Sequence, residues 1–379
     1  MTTRKLVTKA IAPGTGAYIG KAGEISFDHT IGALKLSNGV TPGGISITSP
    51  TAINIVDNTW YVDPSRTDLN PAASTGDANN PFLTITAALA YIEAKIAAGT
   101  LPQFNETANI VLSPQFIVLT TSTTEDVALT RGHIYIVGNT PDAGNVPIWI
   151  QGHVTITPRA TGANAKATND FGLFHVAILP SGNFHGVKVT GTNACRVYLE
   201  DVYVYQNTNG YSCVYQDNSD VTTSLEMVNC TVSRPSGSTF LVDIQSAYCK
   251  ITNLETNGLG QALNFANAST GTLLNSTIDA GVGAVITLSG TVAFGSGNCI
   301  LNNTSTAANT YGVTMSGTAS MQFALCVFNV PNAQATNRAI NGVAGNMVLY
   351  TGAVFQYGTC VKISTAITLI PLVTAFTAV

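Results

Sequence analysis

Acidic side chains gather in one part of the sequence, and their spacing suggests carbohydrate chemistry. The acidic residues of this cluster are Glu200, Asp201, Asp217, Asp220, Glu226 and Asp243. The alternation in RVYLEDV predicts a strand that directs Glu200 outward, and aligning Leu225 with Leu199 of a neighbouring parallel strand places Glu226 beside Glu200. Neighbouring strands lie about 4.8 Å apart, close to the separation of about 5–5.5 Å between the carboxyl groups of retaining glycosidases. Glu200 and Glu226 are therefore the candidate catalytic pair.

The alternative interpretation of Glu200 and Glu226 is an ordinary solvated surface, on which Arg196 and Lys250 screen the two carboxylates. We favour this interpretation because acidic residues are scarce, with 20 in 379 residues. The modest length of the chain and the lack of a long inserted loop domain point the same way. The sequence thus favours a protein without catalytic activity and leaves a polysaccharide hydrolase or lyase open.

Tyrosines are concentrated in the same stretch as the acidic residues. An exposed tyrosine can stack on a sugar ring while its hydroxyl group forms hydrogen bonds. The same side chains could instead pack against a neighbouring subunit, and the sequence leaves both roles open. The candidate glycan-binding residues are Tyr198, Tyr203, Tyr205, Tyr211 and Tyr215.

The sequence does not indicate other kinds of site. Its seven cysteines lack zinc-ligand spacing and are expected to be small apolar core residues of a protein made in a reducing cytoplasm. Its five histidines lack HxxxH spacing and are expected to have ordinary packing or surface roles. P-loop, nucleophile-elbow and dinucleotide motifs are missing, so neither a metal nor a cofactor is expected. A net charge of −4 provides no basic patch for nucleic acid.

The composition indicates a folded protein with very little surface charge. Charged residues make up 9% of the chain and hydrophobic residues 45%, against about 25% charged residues in an ordinary soluble domain. After Gly260 the only charged side chains are Asp279, Arg338 and Lys362, so this part is expected to face sugars or other subunits. The N-terminus lacks the apolar region of a signal peptide. The apolar segment 363–379 contains a proline and several threonines and is a poor membrane span, so no membrane insertion is expected.

Short apolar segments recur roughly every 22 to 28 residues, with Gly, Ser, Asn and Thr turns between them. The segments are RVYLEDV, TSLEMVN, CKITNLE, GTLLNST, TVAFGSGNC, SMQFALCVF and NMVLYTGAVF. Each is too short to bury a core alone, so stacking them predicts an all-β, right-handed parallel β-helix with small and β-branched residues inside. Before the repeats, Ile85, Leu89, Ile92 and Ile96 have helical spacing, and Thr84 is a suitable N-cap. This single helix is expected to cap the open N-terminal end of the solenoid.

The N-terminal region has a different pattern from the repeats. Ile25 and Phe27, and then Leu34 and Leu36, alternate with polar residues, which predicts a half-buried β-hairpin. The sequence therefore divides the chain into a small hairpin-rich domain, an entry loop, a capping helix, the β-helix and an apolar segment for capping or trimerisation. Their ranges are 1–50, 51–82, 83–99, 100–362 and 363–379.

This hairpin region resembles the N-terminal domain of the phage major tropism determinant family, which is found at the heads of many phage tail and fibre proteins. The family pattern is Gly-Glu, an alternating strand, a second strand and Gly-x-Thr-Pro-Gly-Gly. The matching residues are Gly23, Glu24, Phe27, Asp28, Leu34, Leu36, Gly39, Thr41, Pro42, Gly43 and Gly44. Asn38 departs from the commoner Asp and leaves the turn unaffected. The resemblance implies attachment to a virion through these residues.

The segment that begins at Tyr61 resembles the entry signature of pectate-lyase-like β-helix proteins. It has an aromatic-Val-Asp start, a Gly/Asn loop and then Pro-Phe-x-Thr-Ile-x-x-Ala. The residues that carry this match are Pro81, Phe82, Thr84, Ile85 and Ala88. Together the two resemblances imply a phage virion protein of the tailspike or tail-fibre kind, made in the bacterial host cytoplasm. They also imply a homotrimer, intertwined or side by side, and neither implies a particular catalytic activity.

Two functions from different classes follow from these observations. The first is a fibre that binds host-surface polysaccharide with its β-helix and docks through its N-terminus to another virion protein of the tail, baseplate or capsid. The alternative is a tailspike depolymerase that cleaves the polysaccharide with carboxylates on the solenoid wall. A head fibre that decorates the capsid is a further alternative.

Overall fold

The computed structural model divides the chain into two compact units, Met1–Asp57 and Asn58–Val379. The boundary falls inside the predicted entry loop. Side chains are described for residues 58–66, 74–98, 114–139, 147–160 and 169–347, apart from residues 236, 238, 247, 268, 332, 333, 335 and 345. The backbone alone is described for residues 9–11, 25–28, 33–36, 45–46, 103–106, 109–112, 348–351, 354–355 and 368–371.

The first unit contains a four-stranded sheet. Its strands, in spatial order, are β1 (Lys9–Ile11), β2 (Ile25–Asp28), β3 (Ala33–Leu36) and β4 (Ile45–Ser46). Strands β2 and β3 are antiparallel, with Phe27 opposite Leu34 and Ile25 opposite Leu36, which confirms the predicted hairpin. The attachment-motif residues outside the described ranges are Gly23, Glu24, Gly39, Thr41, Pro42, Gly43 and Gly44.

The second unit is a right-handed parallel β-helix, as the repeats predict. From β10 to β33, each coil adds one strand to sheet I, one to sheet II and one to sheet III, in that order along the chain. Sheet I consists of β5 (Thr59–Val62), β8 (Gln115–Leu119), β10 (Ile134–Gly138), β13 (Asn169–Phe174), β16 (Cys195–Glu200), β19 (Ser224–Val228), β22 (Tyr248–Thr252), β25 (Thr270–Leu274), β28 (Ala293–Gly297), β31 (Ser320–Ala324), β34 (Met347–Thr351) and β36 (Thr368–Pro371). Sheet II consists of β11 (Ile148–Ile150), β14 (Val176–Ile178), β17 (Tyr203–Tyr205), β20 (Thr231–Arg234), β23 (Glu255–Gly258), β26 (Thr277–Ala280), β29 (Ile300–Asn303), β32 (Val327–Asn329) and β35 (Val354–Phe355).

Sheet III consists of β9 (Val127–Leu129), β12 (Val154–Ile156), β15 (Val187–Val189), β18 (Val214–Gln216), β21 (Phe240–Ile244), β24 (Gln261–Phe265), β27 (Ala284–Leu288), β30 (Tyr311–Met315) and β33 (Arg338–Asn341). A separate antiparallel hairpin is formed by β6 (Gln103–Glu106) and β7 (Asn109–Leu112). All seven segments predicted from the repeats supply strands of sheet I. Strand β36 lies within the predicted C-terminal segment and extends this sheet beyond β34.

The core lies along the solenoid axis, where inward side chains stack in columns from coil to coil. In sheet I one column contains Ile136, Leu173, Leu199, Met227 and Ile251, and all five are at most 1% exposed. Successive side chains of a strand point to opposite faces, so alternation directs every second residue inward. Burial of each large aliphatic side chain contributes about 1.5–3 kcal/mol. The six cysteines in the described part of the chain are also buried and free, as predicted.

A single residue in the left-handed conformation forms the tight turn from sheet I to sheet II. In seven consecutive coils this residue has φ between 52° and 55°, and the seven are His175, Asp201, Asn229, Asn253, Asn275, Asn298 and Leu325. Asparagine and aspartate tolerate this conformation better than other residues with a side chain. The asparagine side chains also form hydrogen-bonded pairs between neighbouring coils, since Asn253 donates from Nδ2 to Asn229 Oδ1 at 2.9 Å. Asn298 donates to Asn275 in the same way at 2.9 Å.

Helix α1 (Ile85–Ala97), the one helix in the described part of the chain, lies against the N-terminal end of the solenoid. It contacts β5 and β9, the first strands of sheets I and III. Thr84 is the N-cap, as predicted, and its Oγ1 accepts a hydrogen bond from the backbone N–H of Ala87 at 3.0 Å. The helix buries Ile85, Ala88 and Ile92. It therefore covers strand edges that would otherwise be open, as the sequence predicts.

Candidate functional site

The structure corrects the predicted stacking of Glu200 on Glu226. The strands of these residues align so that Glu226 lies beside Tyr198, while Glu200 lies beside Val228. This register is set by the tight turn after each strand, where Asp201 has the position that an asparagine takes in the next coil. The predicted register is two residues out because it matches leucines instead of turn residues.

The basic residues expected near these two glutamates have different partners. Lys250, on the next strand, donates from Nζ to Glu226 Oε1 at 2.6 Å, as expected for a screened carboxylate. Arg196 instead forms a two-pronged ion pair with Asp170, with N–O distances of 2.8 and 2.9 Å. On sheet I, Glu226 thus forms an ion pair with Lys250, whereas the sequence predicts that it lies beside the carboxylate of Glu200.

The five candidate tyrosines lie on three different faces of the solenoid. Tyr198 belongs to sheet I, and Tyr203 and Tyr205 belong to sheet II. Tyr215 belongs to sheet III, and Tyr211 lies three residues before the start of the same strand. All five are half-buried. The described structure therefore brings Tyr211 and Tyr215 together but separates them from the other three.

Tyr211 and Tyr215 belong to an aromatic cluster on sheet III. Tyr215 stacks on His185 with ring centroids 4.2 Å apart and planes 8° apart. Tyr211 contacts the same imidazole edge-on at 5.4 Å. Lys188, one strand before Tyr215, places its Nζ 5.8 Å from the centroid of the Tyr215 ring. Lys188 faces outward because its neighbours Val187 and Val189 fill the core.

His185 is held in its neutral form by this environment. The backbone N–H of Ser212 donates to Nδ1 at 3.0 Å, which requires an unprotonated nitrogen there. Burial lowers the pKa of His185 to about 4, and the charge of Lys188 lowers it in the same direction. The imidazole therefore behaves as a flat, uncharged aromatic group near neutral pH.

Two carboxylates, those of Asp217 and Asp243, lie next to the aromatic cluster. Asp243 is aligned with Tyr215 on the neighbouring strand. Its Oδ1 accepts hydrogen bonds from Asn264 Nδ2 at 2.7 Å and from Gln245 Nε2 at 2.5 Å. Burial nevertheless raises the pKa of Asp243, and the charge of Asp217 adds to that effect.

The cluster combines a stacked aromatic surface with charged and hydrogen-bonding groups, which is the chemistry of sugar recognition. The sequence predicts a glycan-binding role for its tyrosines and includes Asp217 and Asp243 in the acidic cluster, whereas His185 is expected to have only a packing or surface role. The repeat could have connected them, because Lys188, Tyr215 and Asp243 occupy equivalent positions in consecutive coils.

In the part of the chain with described side chains, no group of three or more His, Cys, Asp or Glu residues is arranged to hold a metal ion. Among the same residues, no helix has the length and apolarity needed to cross a bilayer.

No protein-family model, curated protein or solved structure gives a significant match to this chain.

Proposed function

We propose that the chain is a non-enzymatic phage virion fibre whose β-helix binds a host-surface polysaccharide and whose N-terminal unit attaches it to the particle. The observation that carries the binding role is the stack of Tyr215 on neutral His185. A sugar ring presents C–H groups on one face and hydroxyl groups around its edge. Aromatic rings contact the apolar face, while adjacent polar groups bond the hydroxyls.

The residues around the stack supply those polar groups. Lys188 donates hydrogen bonds, whereas Asp217 and Asp243 accept them. Because His185 stays neutral, a sugar can cover its ring without the free-energy cost of removing water from a charged imidazole. Lys188 lies on β15, Asp243 lies on β21, and Asp217 directly follows β18, the strand between them. The three groups therefore face one stretch of a polysaccharide.

Attachment to the virion rests on the resemblance of residues 23–44 to the phage tropism-determinant domain. It is also supported by the division of the chain into two units at Asp57, which separates the hairpin β2–β3 from the β-helix. Antibody labelling of particles that encode this chain tests the proposal. Label at the tail or baseplate indicates a tail fibre, label on the capsid indicates a head fibre, and unlabelled particles contradict the proposal.

Binding can be tested with the purified full chain on an array of bacterial surface polysaccharides and on cells that carry the bound glycan. We expect Tyr215→Ala to lose most of the binding. The matched control is Tyr311→Ala, which removes a half-buried tyrosine from the same sheet, four strands further along. Equal loss in both variants, or none in Tyr215→Ala, would argue against this site.

A depolymerase is the second candidate function, and the pair Asp217 and Asp243 favours it. Burial and the charge of Asp217 raise the pKa of Asp243, and an acid with a raised pKa beside a second carboxyl group is the arrangement of a general acid and its partner. The test is the release of reducing ends from the bound polysaccharide. If wild type shortens the polysaccharide and Asp243→Asn does not, the non-enzymatic interpretation is wrong.

A further inference from the structure

A groove of about 560 Å³ follows sheet II, on a different face from the aromatic cluster. Six of its lining residues come one each from six successive strands, β17 to β32. In order along the axis they are Tyr205, Ser233, Asn257, Asp279, Asn302 and Asn329. Six strands about 4.8 Å apart span about 24 Å. The groove is therefore long enough for an extended chain of several sugar rings.

A hydrogen-bonded ladder forms the second half of this groove. Asn302 donates from Nδ2 to Asp279 Oδ1 at 2.7 Å, and Asn329 donates from Nδ2 to Asn302 Oδ1 at 2.6 Å. Each carboxamide has a second N–H and each oxygen a second lone pair. Further donors and acceptors thus remain, repeated at the spacing of the strands. Asn329 Oδ1 is buried and accepts no hydrogen bond from the described residues.

Among the described residues, the groove presents one carboxylate to a ligand. This carboxylate is that of Asp279, which is half-buried. Arg234 also contributes to the lining, but its side chain is fully buried and its guanidinium donates to the carbonyl of Tyr211 at 3.0 Å. Asp279 therefore disfavours uronic acids and sulfated sugars by charge repulsion. Tyr205 at one end and Leu259, which is 59% exposed, provide apolar contacts.

We infer that the sheet II groove is a second glycan-binding site, which holds a neutral oligosaccharide along the solenoid axis. The inference rests on the proposed function for the type of ligand, and it adds a second binding face and the class of sugar. Asn302 and Asn329 bind hydroxyl groups along the glycan, and Asp279 both accepts hydrogen bonds and excludes acidic sugars.

Calorimetric titration of the full chain tests this inference. The probes are neutral gluco-, manno- and galacto-oligosaccharides from disaccharide to hexasaccharide, with galacturonic acid oligomers as the acidic counterpart. We expect at least one neutral series to bind with an affinity that rises with length. Asn302→Ala should weaken that binding about tenfold, the factor that about 1.4 kcal/mol produces. Thr314→Ala, an outward residue of sheet III, is the matched control and should leave the affinity unchanged.

Asp279→Asn should let acidic oligosaccharides bind while neutral ones are retained, which a purely structural role for Asp279 would not produce. Unfolding curves check that each variant folds, and Asn329→Ala replaces Asn302→Ala if the latter does not. If neutral oligosaccharides bind but only Tyr215→Ala weakens them, the groove inference is wrong and the proposed function stands. Failure of the chain to bind any glycan contradicts both. A smaller assembly in Asn302→Ala, seen by light scattering, would identify the groove as a subunit contact and overturn the inference.

Discussion

Leu325 occupies the left-handed turn position that Asn298 occupies one coil earlier, with φ of 52° and 54°. Its side chain is 66% exposed, so little packing compensates for the backbone conformation. Leucine cannot form a side-chain hydrogen bond like those that join Asn253 to Asn229 and Asn298 to Asn275 in the preceding turns. This turn is therefore a weak point of the solenoid.

We expect Leu325→Asn to raise the free energy of unfolding by about 1 kcal/mol, because asparagine tolerates the left-handed conformation. Its carboxamide would also lie beside that of Asn298. Denaturant unfolding measures the change. Leu325→Ala is the control, since it removes the same exposed side chain and keeps an unfavourable backbone. Equal stability of the two variants would show that the turn is not strained.

Gly271 is a second position at which the core constrains the sequence. A Cβ there would lie 2.6 Å from Phe294 Cδ2 and 2.7 Å from Phe265 Cε1, so the two rings occupy the space of the missing side chain. Gly271→Ala should cost about 1–3 kcal/mol of stability through overpacking. The control is Gly295→Ala on the outer face of the same sheet, where a Cβ would have no described atom within 4 Å. Similar melting temperatures for both variants would contradict this view of the core.

Asp243→Asn should stabilise the protein at neutral pH. Burial raises the pKa of Asp243 above 3.8 in the folded state, so ionisation of this group opposes folding. This destabilisation of the folded wild-type protein disappears as the pH falls through the raised pKa, because the Asp243 side chain then becomes neutral. The advantage of the variant should therefore be greatest at pH 7 and shrink towards pH 4. Urea unfolding of both proteins between pH 4 and pH 7 measures this difference, and an advantage that does not change with pH would contradict the prediction.

His185 should have the opposite effect on the pH dependence of stability. Its pKa is about 4 when folded and 6.5 in the unfolded reference, so between these values the unfolded chain binds a proton that the folded chain does not. The contribution of His185 to stability is thus complete above pH 6.5 and is lost as the pH falls towards 4. His185→Phe keeps a flat ring and should flatten the stability profile in this range. An imidazole titration midpoint near 6.5, measured by NMR on the folded protein, would contradict the assignment.

The low charge of the later coils predicts a homotrimer. After Gly260 the described side chains include only Asp279 and Arg338 as charged groups, and a monomer surface normally carries far more charge. Light scattering on the purified full chain should give three chain masses at micromolar concentration. A value near one chain mass, 39.4 kDa, would rule out the trimer.

Alternation and repetition in the sequence were sufficient to predict the class of fold. The hairpin of Phe27 and Leu34, the N-cap at Thr84 and the stacked strands of sheet I depend on short-range patterns, so they can be identified before the coils are assembled. The number of residues in one coil varies because the outer turns differ in length. The coil from Val197 to its aligned residue Leu225 contains 28 residues.

The register between neighbouring strands and the grouping of side chains on one face depended on the tertiary structure. A shift of two residues between coils keeps every apolar side chain inside, so hydrophobic alternation alone could not choose between neighbours for Glu226. The choice came from the left-handed turns at Asp201 and Asn229, which hold the ends of successive strands together. Likewise, Tyr205 and Tyr215 are close in sequence but lie on different sheets, whereas Tyr215 and Asp243 are neighbours because one full coil separates them. In a solenoid, residues one full coil apart are spatial neighbours, whereas residues close in sequence can lie on different sheets. The side chains that share a face are therefore determined only when the coils have formed.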